Sequence, residues 1–131
     1  MALTLDEANR ILAAAITKAR EMNVKVSVAV CDSAGRLVAF GRMDGAILGS
    51  VYGAQGKAIA SAVFGRSSGE LQERAETPIL RGIVAAEGSG MIPSQGAVPI
   101  RRNGVLEGAC GIGGATSQQD EDIAWAAVAA L

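Results

Sequence analysis

The pair Asn103-Gly104, set between two apolar runs, constrains this chain more than any other feature. A type I′ turn needs φ above zero at both central residues, which asparagine and glycine tolerate best, so the pair predicts a β-hairpin. The second strand of that hairpin then carries Gly108, Gly111, Gly113 and Gly114 where a core strand would carry side chains. Strand glycines mark a bulge or a place where a ligand or another backbone comes close. Thr116-Ser117-Gln118-Gln119-Asp120-Glu121-Asp122 follows at once and opens a helix. A glycine-cleared backbone therefore runs straight into a helix N-terminus.

The remaining pattern supplies partners for this hairpin. Thr4 and Glu7 form a capping box, and apolar residues at 3–4 spacing predict an amphipathic helix over residues 5–22. Alternating valines over 24–31, the turn Asp32-Ser33-Ala34-Gly35 and a second run over 36–43 predict another hairpin with one buried face. A helix over 48–64 carries Gly49, Gly53, Gly56 and Ala60 along one side. Each interior glycine costs about 1 kcal/mol relative to alanine, so the stripe serves either close packing or a flat ligand. On either account Gly53, Gly56 and Gly111 are expected to have little room for a Cβ. Ser67 and Glu70 cap a short helix to about residue 76, and Thr77-Pro78 starts another that ends at Gly88-Ser89-Gly90. Residues 91–97 read as a weak edge strand broken by Pro93, and 117–131 as a final helix. This order predicts one α+β domain of 131 residues with a mainly antiparallel sheet.

Composition removes several functions. Twelve Lys and Arg against 13 Asp and Glu leave no electrostatic footprint for nucleic acid or an anionic membrane. Aromatic residues at 3% supply no stacking platform for single strands. No leader pattern and no apolar run of spanning length are present, so a cytoplasmic location is expected. Histidine is absent, which excludes a Ser-His-Asp triad, a Cys-His dyad, His-rich zinc sites and His-ligated haem; no resident metal site is expected. Cys31 and Cys110 do not form a CxxC pair and read as reduced buried thiols, with a thiolate ligand or nucleophile as the alternative.

Asp32-x-x-Gly35 with Arg42 and Asp44, Lys57-Ala58 on the glycine-lined helix, Gly96-x-x-Pro99-Ile100, and Gly108-x-x-Gly111-x-x-Gly114 followed by Asp120-Glu121 resemble the GlcG/HbpS family, along nearly the whole chain. That family also includes the carboxy-terminal domain of PduO-type cobalamin adenosyltransferases. The resemblance implies a three-layer α/β/α arrangement around a five-stranded antiparallel sheet, similar to the profilin-like class, assembled as a homo-oligomer. It also implies haem or a related tetrapyrrole as a ligand class. Without histidine, iron would have to take Tyr52, a cysteine, a methionine or an oxygen ligand such as Thr116.

The glycine block before the last helix matches neither GxxxxGK[ST] nor a spaced GxGxxG, and three acids in the first turn would repel a phosphate. Arg42, Asp44 and Lys57 are candidates to converge and hold a carboxylate or propionate, the plainer reading being an Arg42–Asp44 ion pair beside a solvated lysine. Tyr52, Gly53, Gly56, Gly111, Gly113, Gly114 and Thr116 complete the candidate ligand site. Asp32, Glu87, Glu107, Cys110 and Asp120 are the candidate proton carriers. The expected function is therefore a cytoplasmic small-molecule-binding protein, with its pocket between the glycine-striped helix and the last strand. The alternative is a cofactor-independent isomerase, lyase or hydrolase acting on a small oxo or hydroxy acid.

Overall fold

The computed structural model describes residues 2–88 and 90–131; Ser89, in the predicted helix end, lies outside them. The first helix, α1 (Leu5–Glu21), starts on the expected capping box, with Thr4 N donating to Glu7 Oε1 at 2.9 Å and Glu7 N to Thr4 Oγ1 at 3.1 Å. Strand β1 (Ser27–Asp32) begins three residues later than the valine alternation suggests. Val24 N is taken by Ala19 O, closing the helix end, and Asn23 turns the chain at φ 56°. Asp32 Oδ1 then accepts from Ala34 N and Arg36 N, shaping the turn into β2 (Leu37–Arg42).

Helix α2 (Gly49–Phe64) is followed by a short 3₁₀ helix over Ser68–Arg74, by α3 (Pro78–Glu87), and by strands β3 (Ala97–Arg102) and β4 (Val105–Gly113). Asn103 and Gly104 adopt φ 52° and 78°, as a type I′ turn requires. Helix α4 (Ser117–Val128) follows, starting on a capping box between Thr116 and Gln119. The strands form one antiparallel sheet in the order β2-β1-β4-β3. Pro99 is accommodated because β3 is an edge.

The sheet has four strands, not the five expected. Residues 91–97 pair with no strand before Ala97, because their backbone serves another element: Ile92 N donates to Gly56 O of α2 at 3.0 Å, and Pro93 has no N–H to give.

Helices lie on both faces. On one, α1 and α4 bury Ile11, Ile123 and Ala127 against Val28, Val30, Val98, Ile100, Cys110 and Ile112. On the other, α2 covers Ala29, Cys31 and Ala109 with Ala54, Ala58 and Ala62. Here β4 meets the helix backbone. A Cβ on Gly111 would collide with Ala54 O and lie 2.8 Å from Ala58 N, and one on Gly113 would lie 2.7 Å from Ser50 O. Gly111 and Gly113 thus admit α2 itself, while a Cβ on Gly108 would collide with Cys31 O of β1.

Candidate functional site

The space expected between α2 and β4 is filled by their direct packing, so the sequence-derived site residues are distributed over other places. Gly111 and Gly113 lie under α2, and a Cβ on Gly114 would lie 2.8 Å from Lys25 O. Thr116 caps α4, its hydroxyl accepting from Gln119 N at 3.2 Å. Gly53 and Gly56 also part company. A Cβ at Gly53 would meet only Lys57 Cε at 3.9 Å and Gly113 Cα at 4.0 Å, ordinary contacts, whereas at Gly56 it would lie 2.5 Å from both Gly90 O and Ile92 Cγ1. The expectation of no room is thus corrected for Gly53: the helix is turned so that Ser50, Ala54 and Ala58 face the strand, one step around from the glycine stripe.

Gly56 brings the loop after α3 against α2, and beside that junction lies a cavity of about 470 Å³ lined by Tyr52, Gln55, Gly56, Gly90, Met91 and Ile92. Tyr52, one turn before Gly56, is 68% exposed and forms the rim. Met91 is buried and forms the floor, and Ile47 and Leu48 extend the apolar surface along the start of α2. Sequence reading found Tyr52 and Gly56 but missed Gln55, Met91 and Ile92. The last two come from the segment taken for a strand.

Lys57 does not join Arg42 and Asp44. Its ammonium donates to Asp120 Oδ2 at 3.1 Å, with the two side chains 9% and 4% exposed. Asp120 Oδ1 accepts from Ala115 N at 3.1 Å. Burial pushes the Asp120 carboxyl up, against the pull of Lys57 and the Ala115 N–H. This pair links α2 to the start of α4. Arg42 and Asp44, by contrast, are exposed and line a groove of about 480 Å³ with Arg20 and Lys25, two cations the sequence reading did not single out. Only the fold brings them together, since α1, the loop after it and the end of β2 each contribute one.

The other candidates hold structural partners. Asp32 serves its turn, Glu87 pairs with Arg36 at 3.2 Å, and Glu107 receives Arg102 Nε at 2.9 Å. Arg102 also reaches Glu7 at 2.8 Å, stapling α1 to the β3–β4 hairpin. Glu7 is held down to about 2 by the Thr4 N–H and by Arg102, and Glu107 is lowered by Arg102. Both thiols are sealed. Burial pushes Cys31 and Cys110 up to about 12, and Cys31 Sγ donates to Ala58 O at 3.6 Å. Neither is a thiolate at neutral pH. Among the described residues no cluster of three or more Cys, Asp or Glu could hold a metal ion, and no helix is long and apolar enough to cross a membrane.

Known proteins share this architecture. Corrinoid adenosyltransferase PduO of Citrobacter freundii is 30% identical over 132 residues, covering 100% of this chain and 39% of that protein. The chain thus spans about two fifths of that relative. A 15.0 kDa protein encoded between dhaT and dhaS in the same organism is 28% identical over 93% of this chain and 87% of its own length. Among solved structures, the PduOC–haem complex matches with a TM-score of 0.88 at 29% identity, covering 100% of this chain and 96% of that one. A double mutant of Streptomyces reticuli HbpS matches at 0.87 and 29% identity, covering 100% and 88%. The family model described as haem degrading protein HbpS-like covers residues 3–129, and the chain belongs to that family.

Proposed function

We propose that this protein binds a flat small molecule of the tetrapyrrole class, haem among them, at the cavity between Tyr52 and the 90–92 loop. The observation that carries this reading is the fold match to a haem complex over the full length of the chain. The residues present fit such a ligand in a particular way. Ile92, seated on Gly56, supplies apolar wall, and Tyr52 supplies an oxygen of a kind that ligates haem iron in other proteins. Met91 offers a thioether from the same cavity, while the two cysteines are closed off in the core. Bound there, haem would supply iron-centred redox or ligand-binding chemistry. The protein's part would be to supply apolar wall and a weak ligand from Tyr52 or Met91. Affinity is accordingly expected to be below that of a His-ligated protein.

Binding is favoured over turnover by the commitments of the candidate proton carriers, since Asp32, Glu87, Glu107 and Asp120 each hold a structural partner and Cys110 is fully buried. We read the chain as a cytoplasmic homo-oligomer. Support for self-association comes from Ile47 and Leu48, adjacent apolar residues that are both exposed at the start of α2.

Haem titration followed at the Soret band tests the assignment. A saturable change is expected, with Tyr52→Phe altering the spectrum while retaining much of the affinity and Tyr52→Ala lowering both. Absence of saturation, or a spectrum indifferent to both substitutions, would remove the site from this cavity.

A further inference from the structure

We propose that the groove between the end of α1 and the end of β2 is a second binding site, built for a small organic dianion of the dicarboxylate class. Three cations line it, Arg20, Lys25 and Arg42, with Asp44 as the carboxylate among them and Ile16 and Met43 as apolar wall. Among the described residues, no ion pair and no side-chain hydrogen bond engages any of the four charged groups. The Arg42–Asp44 ion pair that the sequence suggested is not formed. Three positive charges against one negative leave two uncompensated, and a cleft lined by one sign of charge concentrates the opposite sign from solution.

The local structure keeps these groups together. Met43 N donates to Val26 O at 3.0 Å, so the register of β1 on β2 sets Lys25 beside the residues that follow Arg42. Gly45, at φ 84°, clears space for the lysine stem: a Cβ there would lie 2.9 Å from Lys25 Cδ. Arg20 enters from the last turn of α1. A cation at that point also suits the negative end of the helix dipole, yet Lys18 is already in the same turn, where it pairs with Glu21 at 3.8 Å.

Ligand size and chemistry follow from these parts. A volume of about 480 Å³ is far more than an inorganic anion fills and accommodates a short carbon chain. Two guanidinium groups present the planar forks that pair bidentately with carboxylates. Apolar side chains at the wall favour a carbon body between the charges. The site is separate from the Tyr52 cavity, with no lining residue in common, so it stands or falls independently of haem binding.

Succinate added to the isotopically labelled protein, followed by amide chemical shifts, tests this. Saturable shifts confined to residues 20–25 and 42–45 are expected. Arg42→Gln should weaken binding about tenfold or more, Arg66→Gln, on a distant surface, should leave it unchanged, and Asp44→Asn should tighten it by removing the opposing charge. Propionate and inorganic phosphate should bind much more weakly than succinate. Shifts that do not saturate, equal binding of propionate or phosphate, equal loss in Arg66→Gln, or weaker binding in Asp44→Asn would each overturn the proposal.

Discussion

The two faces of the sheet solve the same packing problem with opposite materials. Against α1 and α4 the strands present Val28, Val30, Val98, Ile100 and Ile112, and the layers are held apart by interdigitating side chains. Against α2 they present Ala29, Ala109 and the bare Gly111 and Gly113, so helix and strand meet at the backbone. A side-chain interface tolerates small changes of volume because rotamers adjust, whereas a backbone interface has nothing to adjust. The difference teaches where this protein is brittle.

Adjacent residues of β4 test it most sharply, since Gly111 and Ile112 point to opposite faces. Gly111→Ala adds one carbon and Ile112→Val removes one. We expect Gly111→Ala to destabilise by more than about 4 kcal/mol, or to prevent folding, because the obstructing atoms are the backbone of Ala54 and Ala58. Ile112→Val should cost about 1 kcal/mol. Urea unfolding of both variants measures the ratio, and comparable values would mean that α2 lifts freely and the two faces do not differ.

Next in size is the buried link between the layers. Asp120→Asn leaves the Lys57 ammonium uncompensated in a nearly closed site and should cost about 3 kcal/mol. Replacing both residues together, Lys57→Met with Asp120→Leu, should restore much of the loss, because a buried pair can be exchanged for apolar volume with little change. A double variant no better than Asp120→Asn would show that the pair fixes the position of α4 and not merely its own charge balance.

The order of what was legible in the sequence follows the range of the interactions. The Thr4–Glu7 capping box, the Asp32 turn and the Asn103-Gly104 hairpin involve neighbours three or four residues apart, and each formed as read. Residues 91–97 read as a strand because of the apolar Met91 and Ile92 and their nearness to the hairpin, yet the chain bends over 94–96. What gives them another role is the acceptor at Gly56, far back in the chain. The glycines of β4 announced a close approach, but the identity of the approaching face did not follow from α2's own glycines. Ser50, Ala54 and Ala58 are what come close. Lys57 and Asp120 stand 63 residues apart, and nothing local in either marks the other. The groove of Arg20, Lys25 and Arg42 likewise exists only once α1 is laid beside β2.

The ion pairs of the bulky face should also make the protein sensitive to acid. On the bulky face, Glu7 is lowered from its ordinary 4.5 to about 2 and Glu107 is lowered as well, so their contribution is present above the unfolded value and is lost as pH falls from about 4.5 toward 2. Urea midpoints at pH 5 and pH 3 should therefore fall in the parent protein and fall less in Arg102→Gln, which removes the staple. An unchanged pH dependence in that variant would place the acid sensitivity elsewhere.

The smallest effect separates the glycines of α2 itself. Gly53 sits on the side of the helix where a Cβ would meet nothing closer than 3.9 Å, so the helix propensity of alanine and the lower entropy of its unfolded chain should act unopposed. We expect Gly53→Ala to stabilise by up to about 1 kcal/mol. Gly56→Ala should instead destabilise by about 1–3 kcal/mol, since the added carbon meets Gly90 O and Ile92, and it should disturb the Tyr52 cavity that the same loop closes. Both variants belong in one urea series with haem titration alongside. If Gly53→Ala is destabilising, α2 lies closer to β4 over its first turns than the packing of Gly113 implies, and the backbone interface extends a turn further than its contacts with Ser50 and Ala54.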